Sequence, residues 1–363
     1  MVNLVAAVLK PLMHLLVRLA GLTPQTIEIE PGTIMKFWVP KQVLKKPGNQ
    51  NCQTWHKPTK PVVVFAHPFS ADGIFMWFFQ ALAFAGKYSV YIPDFLFFGG
   101  SATARAERSP EFQAECLATG LRKLAVESCT LVGLSYGGMV GFKMAELYPD
   151  LVENMVVSCT VVELTQSITD ACLARIGLSR WSEFLLPESV EGVKLLFSVG
   201  THKLPWLPDF FYRDLLEVMF DNRKEKAELL EALVVRDEEP TIPNYPQRIY
   251  CLWGDDDKIF NLELAQNMKD MVLQAIRGQS HLAMDKECRA SCSNGATLCL
   301  QQATQENSFL NLCPIIYVFR NVFKLFLENF EFSNLVSEKE VSSCYGFEIL
   351  KQETYYIMFN RIS

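Results

Sequence analysis

The five residues Gly133-Leu134-Ser135-Tyr136-Gly137, directly behind the apolar run Cys129-Thr130-Leu131-Val132, constrain this chain more than any other feature. The run predicts a buried strand, and Met139 to Leu147 predicts a helix of mostly good formers, ended by Tyr148-Pro149-Asp150. A strand that turns into a helix so abruptly puts Ser135 on a tight corner at the carboxyl end of a sheet, where flanking glycines relieve crowding. The corner holds the hydroxyl out as a nucleophile.

The chain has 363 residues, half of them hydrophobic, enough for a substantial core in one large domain or two modest ones. A formal net charge of −6 without a long basic run argues against nucleic acid as a partner. The eleven cysteines are scattered, and several, such as Cys129 and Cys251, fall in apolar runs where a free thiol packs as a small hydrophobe. No Asn-x-Ser/Thr acceptor occurs, and a reducing, cytoplasmic compartment is expected.

Residues 1–25 form an amphipathic segment. Lys10, Pro11, His14 and Arg18 interrupt its apolar residues, so neither a signal peptide nor a spanning helix is expected. The spacing of Leu12, Leu15, Leu16, Leu19 and Leu22 predicts a helix that packs on the body, with peripheral membrane contact as the alternative. Thr26–Glu30 and Thr33–Val39, around Pro31-Gly32, read as an antiparallel hairpin at a sheet edge. From Pro61 the pattern becomes strand, turn, helix, repeated. The strands expected are Val62–Ala66, Ser89–Ile92, Thr130–Leu134, Asn154–Ser158 and Arg248–Trp253, with a last one at Leu273–Arg277. Helical patterns at Phe75–Ala85, Pro110–Ala125 and Leu262–Val272 make the fold α/β: a mostly parallel, doubly wound sheet. The alternation fails over 161–246, which reads as a helical cap inserted into a core made of 26–160 and 247–286.

Nucleophilic acyl chemistry also calls for a base, an acid that orients it, and donors for an oxyanion. Of five histidines, His14, His56, His67 and His202 precede the place where a base is expected, and only His281 follows the last expected strand; by elimination it is the base. Gly254-Asp255-Asp256-Asp257 follows the strand at Arg248 and offers three carboxylates, among which spacing does not choose. His67-Pro68-Phe69 ends the strand at Val62 beside the corner, so the N–H groups of Phe69 and Tyr136 are the oxyanion donors. Pro68 has no N–H to donate. In the cap, Trp206, Phe210, Phe211, Tyr212 and Met219 are candidates to line an acyl pocket, with core packing as the alternative.

These residues resemble the α/β-hydrolase fold superfamily, and within it the plant branch described as epoxide-hydrolase-like or monoacylglycerol-lipase-like. The resemblance is carried by Ile29-Glu30-Pro31-Gly32-Thr33, the His67 loop, Pro93 to Ser101, the Ser135 corner and Trp253 to Phe260, in that order. It implies a Ser135, Asp257, His281 triad, Asp257 matching the last position of the W-G-x-x-D turn. Epoxide hydrolases carry aspartate where this chain has Ser135, so the resemblance implies a carboxylic ester hydrolase that works through an acyl-enzyme on a small-molecule ester. The alternative is a ligand-binding or catalytically impaired protein of the same fold. The chain departs from the pattern at Pro68, where relatives have glycine, in the short connection behind Val272, and after Lys286. Residues 287–363 form an atypical carboxyl-terminal extension that leaves the fold uncompleted, supplies a replacement helix at Leu312–Phe332, or touches a membrane. Cys288 and Cys292 lack a second metal-ligand pair, so no metal is expected, nor any cofactor.

Overall fold

The computed structural model of the chain describes residues 2–44, 55–201, 207–237, 245–254, 257–275 and 283–284, with 269–275 and 283–284 described by backbone alone. The chain enters through a π-helical turn, Val5–Leu9, that runs into α1 (Lys10–Leu19), with Pro11 in the first turn where its missing N–H costs no helical bond. Helix α1 packs on the body, on a face one step round from the leucine stripe. Met13 and Val17 are buried, while Leu15 and Leu19 are 54% and 75% exposed. The polar members of the buried face account for the rotation. Lys10 pairs with Asp72 at 2.7 Å, and the His14 ring lies 5.0 Å from that of Trp38, so positions 10, 13, 14 and 17 turn inward together.

Strands β1 (Leu22–Glu30) and β2 (Thr33–Pro40) form the expected antiparallel hairpin, with β1 starting four residues earlier than Thr26. β1 is the sheet's edge, which is why it tolerates Pro24. Next come β3 (Val62–Ala66), α2 (Gly73–Phe84), β4 (Ser89–Pro93), the short β5 (Ala102–Thr103) against β2, α3 (Pro110–Lys123), β6 (Cys129–Leu134), α4 (Tyr136–Leu147) and β7 (Val152–Ser158). Asp72 and Ser109 cap α2 and α3 by accepting from the N–H groups of Phe75 and Phe112. The strands expected here fall where the apolar runs placed them, each nearly all buried.

An insertion follows: β8 (Leu164–Thr165), α5 (Gln166–Ile176), α6 (Trp181–Leu185), α7 (Val190–Gly200), α8 (Asp209–Met219), α9 (Arg223–Leu233) and β9 (Val234–Val235), which pairs with β8 in parallel. Helices α8 and α9 are separated at Asn222, whose φ is +47°, a conformation asparagine tolerates better than most residues. The sheet resumes with β10 (Arg248–Leu252), then α10 (Leu262–Ala275) and β11 (Ala283–Met284). Its order is β1-β2-β4-β3-β6-β7-β10-β11, parallel from β4 onward.

The strand expected at Leu273–Arg277 is not one: Leu273–Ala275 belong to α10, and 276–277 lie outside the described residues. The apolar spacing Leu264, Met268, Met271, Val272, Ala275 is helical and continues that of the preceding turns. The last described strand is β11, beside β10. Cys116, Cys129, Cys172 and Cys251 are buried thiols, as their apolar surroundings suggest. No helix among the described residues is long and apolar enough to cross a membrane.

Candidate functional site

Four strand ends lie level at the carboxyl edge of the sheet. Ala66 of β3 is opposite Gly133, Leu134 of β6 opposite Ser158 of β7, and Ser158 opposite Leu252 of β10. Whatever follows these residues therefore gathers on one rim.

Ser135 follows β6 there, half-buried, with φ +52° and ψ −118°. For a residue with a Cβ this backbone costs roughly 1–3 kcal/mol, and it persists only where its surroundings hold it. Here they do. The Ser135 N–H donates to Ser158 O at 3.0 Å, and Ser135 O accepts from the Thr160 hydroxyl at 2.8 Å and from the Gly138 N–H at 2.8 Å. The motif's glycines are both required by close approach: a Cβ on Gly133 would lie 2.7 Å from Gly137 O, and one on Gly137 would collide with Ala66 O. Thr160 is fully buried and sits against Gly138, so it is a positioning residue for the corner, one that sequence gave no reason to choose. Replacing Thr160 by valine keeps the shape and removes one donor to Ser135 O. A loss of about 1 kcal/mol in urea denaturation is expected, together with several-fold slower acylation of Ser135 by an organophosphonate; unchanged acylation would show that the backbone contacts hold the corner alone.

The segment after β3 abuts this corner, since Gly137 touches the carbonyls of both Ala66 and His67. His67 is completely buried and both ring nitrogens are engaged. Nε2 faces the Phe95 N–H at 3.0 Å and so must accept, which puts the proton on Nδ1, 2.8 Å from Pro68 O. Burial pushes its pKa down to about 4. It is a neutral staple between the Pro68 and Phe95 segments, which gives the physical reason that it is no general base. The Phe69 ring meets those of Phe98 and Tyr136 edge-on at 5.2 and 5.5 Å, placing Phe69 beside Tyr136. Among the described residues neither residue's N–H has an acceptor, as oxyanion donors in waiting would not.

Asp257 follows β10 on the same rim. Its Oδ1 accepts from the N–H groups of Ile259 and Phe260, both at 2.9 Å, and Trp253 Nε1 donates to Phe260 O at 2.7 Å to close the turn. Its Oδ2 is buried and has no hydrogen-bond partner at good geometry among the described residues. Burial raises its pKa, opposed by the Cys159 thiol, the two N–H groups and Arg175. Cys159 is the first residue beyond β7, so the Asp257 turn adjoins the strand end next to that of Ser135. β6 and β10 are two strand spacings apart, roughly 10 Å, a gap that two side chains and an imidazole between them can span. Asp255, Asp256 and His281 lie outside the described residues. His281 was expected behind the last strand; instead β11 follows it in the chain. Of the other histidines, His14 packs at a tilt against Trp38, with its pKa lowered by burial, and His56 is exposed, while His202 lies outside the described residues.

Of the residues expected to line an acyl pocket, Tyr212 is buried inside the insertion, its ring edge-on to Phe197 at 6.0 Å. Phe210, Phe211 and Met219 are half-buried, and Trp206 lies outside the described residues.

A serine corner on the carboxyl rim of a mostly parallel sheet, with a helical insertion ahead of the strand that carries the acidic turn, is the architecture of an α/β hydrolase. A sequence profile described as alpha/beta hydrolase fold matches residues 61–185. The chain is 24% identical over 196 residues to Lipase 3 of Moraxella sp. (strain TA144), a match covering 52% of this chain and 60% of that one. It is 21% identical over 254 residues to human Epoxide hydrolase 4, covering 60% and 65%. The chain thus spans under two thirds of the length of either relative. Among solved structures, a putative lipase from Acinetobacter baumannii AYE superposes with a TM-score of 0.61 at 16% identity, covering 82% of this chain and 94% of that one. A bacterial membrane phospholipase A superposes with a TM-score of 0.59 at 21% identity, covering 77% and 83%.

Proposed function

We propose that this chain is a serine hydrolase that cleaves carboxylic esters with an apolar acyl group. The observation that carries the reading is the pairing of a strained, hydrogen-bonded Ser135 corner with a buried Asp257 oxygen, on the same rim, that has no partner at good geometry among the described residues. In this reading Ser135 Oγ attacks the ester carbonyl, His281 takes its proton and passes it to the leaving alcohol, and Asp257 Oδ2 accepts from the imidazole. The Phe69 and Tyr136 N–H groups hold the oxyanion. Water then cleaves the acyl-enzyme by the same route, regenerating the hydroxyl. The insertion acts as a cap, with Phe210 and Phe211 facing the acyl chain. The names of the lipases it resembles support an apolar acyl group, and serine at the corner supports ester chemistry over epoxide opening.

The test is covalent capture by a fluorophosphonate, with p-nitrophenyl esters of graded chain length for turnover. Labelling of Ser135, lost in Ser135→Ala, is expected. One observation favours a second reading, a ligand-binding protein of the same fold: β11 follows His281 in the chain, where the base was expected behind the last strand. Absence of both labelling and turnover in well-folded protein decides for that reading.

A further inference from the structure

A cavity of about 500 Å³ opens on the same edge of the sheet but away from Ser135; neither Ser135, Phe69 nor Tyr136 lines it. Its walls come from segments far apart in sequence: α1, β2, the start of α2, the turn after β4, and the α8–α9 junction of the insertion. Three ammonium groups reach it. Lys10 pairs with Asp72 at 2.7 Å, and Lys226, nearly fully buried, pairs with Asp221 at 2.7 Å, donates to Met219 O and lies 4.5 Å from the Phe98 ring centre. Among the described residues no carboxylate is within ion-pair distance of the third, Lys36. Its ammonium rests against Gly100, which has φ +96° and where any Cβ would collide with it, so the backbone is shaped around the charge. The remaining carboxylate, Asp94, is committed to the Gly73 N–H at 2.7 Å; burial and the nearby Asp72 charge push its pKa up to about 7, so it balances Lys36 poorly. The other walls, Trp38, Ile74, Phe98, Val218 and Met219, are largely apolar.

We infer that this cavity is a second ligand site, taking a monoanionic amphiphile: a carboxylate head at Lys36 and an apolar chain along Trp38, Phe98 and Met219. One ammonium with no carboxylate at ion-pair distance among the described residues matches one negative charge. A dianionic phosphate head carries one charge more than Lys36 answers, because Lys10 and Lys226 are already paired with Asp72 and Asp221, and a neutral or cationic head would leave Lys36 unanswered. The volume lies within the usual range of small-molecule pockets, about 300–1,000 Å³. The site involves no reaction step and stands whether or not Ser135 is catalytic.

The test is calorimetric titration of the full chain with decanoate, alongside decanol, decyl phosphate and decyltrimethylammonium, repeated with Lys36→Met and Lys36→Gln. Saturable one-to-one binding of decanoate is expected, retained in Ser135→Ala, at least tenfold weaker in both Lys36 variants, and at least tenfold weaker for the other three amphiphiles. The inference is overturned by absence of saturable binding, by decanol binding equally well, by decyl phosphate binding more tightly, or by unchanged affinity in folded Lys36 variants. Should Lys36→Met not fold, Lys36→Gln carries the comparison.

Discussion

Asp257→Asn is expected to lower ester turnover by about 10³–10⁴-fold and to leave the folded state at least as stable as before. Both halves follow from the two oxygens' different surroundings. Oδ1 accepts from Ile259 and Phe260, and an asparagine carbonyl accepts from the same donors without moving the turn. Oδ2 is buried with no good partner among the described residues, and burial raises the carboxyl's pKa, so its charge is held in the native state at a cost. Replacing that charge with a neutral amide relieves the cost, yet an NH₂ group cannot accept from an imidazole and favours the wrong tautomer. The two effects are read separately, one from kcat/KM on a p-nitrophenyl ester and the other from urea denaturation. Full activity in the variant would move the acid's role to Asp255 or Asp256. A stability loss above about 1 kcal/mol would show that the Oδ2 charge is answered in the native state and that its loss is not relieved by the amide.

The corner, and the strands that carry it, were readable because each rests on local information. Val62–Ala66 and Cys129–Leu134 are short, continuous apolar runs that suit only a doubly covered sheet, and Gly133 and Gly137 mark close approaches of backbone. The region behind Val272 is ambiguous for an equally local reason: Leu273 to Arg277, taken alone, is too short to tell a strand from a helix, and only the helical spacing of the turns before it shows that α10 continues to Ala275. Helix α1 was placed against the body, but its leucines suggested the wrong face, because Lys10 and His14 turn inward to Asp72 and Trp38, partners distant in sequence. Thr160 and the Lys36 cavity were invisible for that same reason. No spacing links Lys10, Lys36, Asp94 and Lys226; only the folded sheet and insertion bring them together. Tyr212 illustrates the converse, an aromatic that looked free to bind and is occupied by Phe197.

The second large effect concerns pH and the pair of buried groups at the ends of β3 and β4. His67, held neutral with a pKa near 4, binds a proton in the unfolded chain at pH values where the native chain does not. Between about pH 6.5 and 4 the unfolded state therefore carries the extra proton, and acidification costs the native state about 3 kcal/mol. Asp94, with a pKa raised to about 7, does the opposite. Its native carboxyl takes up a proton on the way down from pH 7 while the unfolded one stays ionised until about pH 4, so acidification stabilises. The two contributions oppose each other over nearly the same range, and the wild-type chain is expected to vary little in stability there. Asp94→Asn, which keeps an acceptor for the Gly73 N–H, exposes the His67 contribution: urea denaturation is expected to show about 3 kcal/mol lost between pH 7 and pH 4. In His67→Gln the slope reverses and stability rises toward pH 4, whatever constant loss the lost staple brings. Carboxylates common to all three proteins cancel in the comparison. Parallel pH profiles for wild type and Asp94→Asn would mean that Asp94 is ionised in the native state throughout, and that the Lys10 and Lys36 ammonium groups neutralise it more fully than its burial suggests.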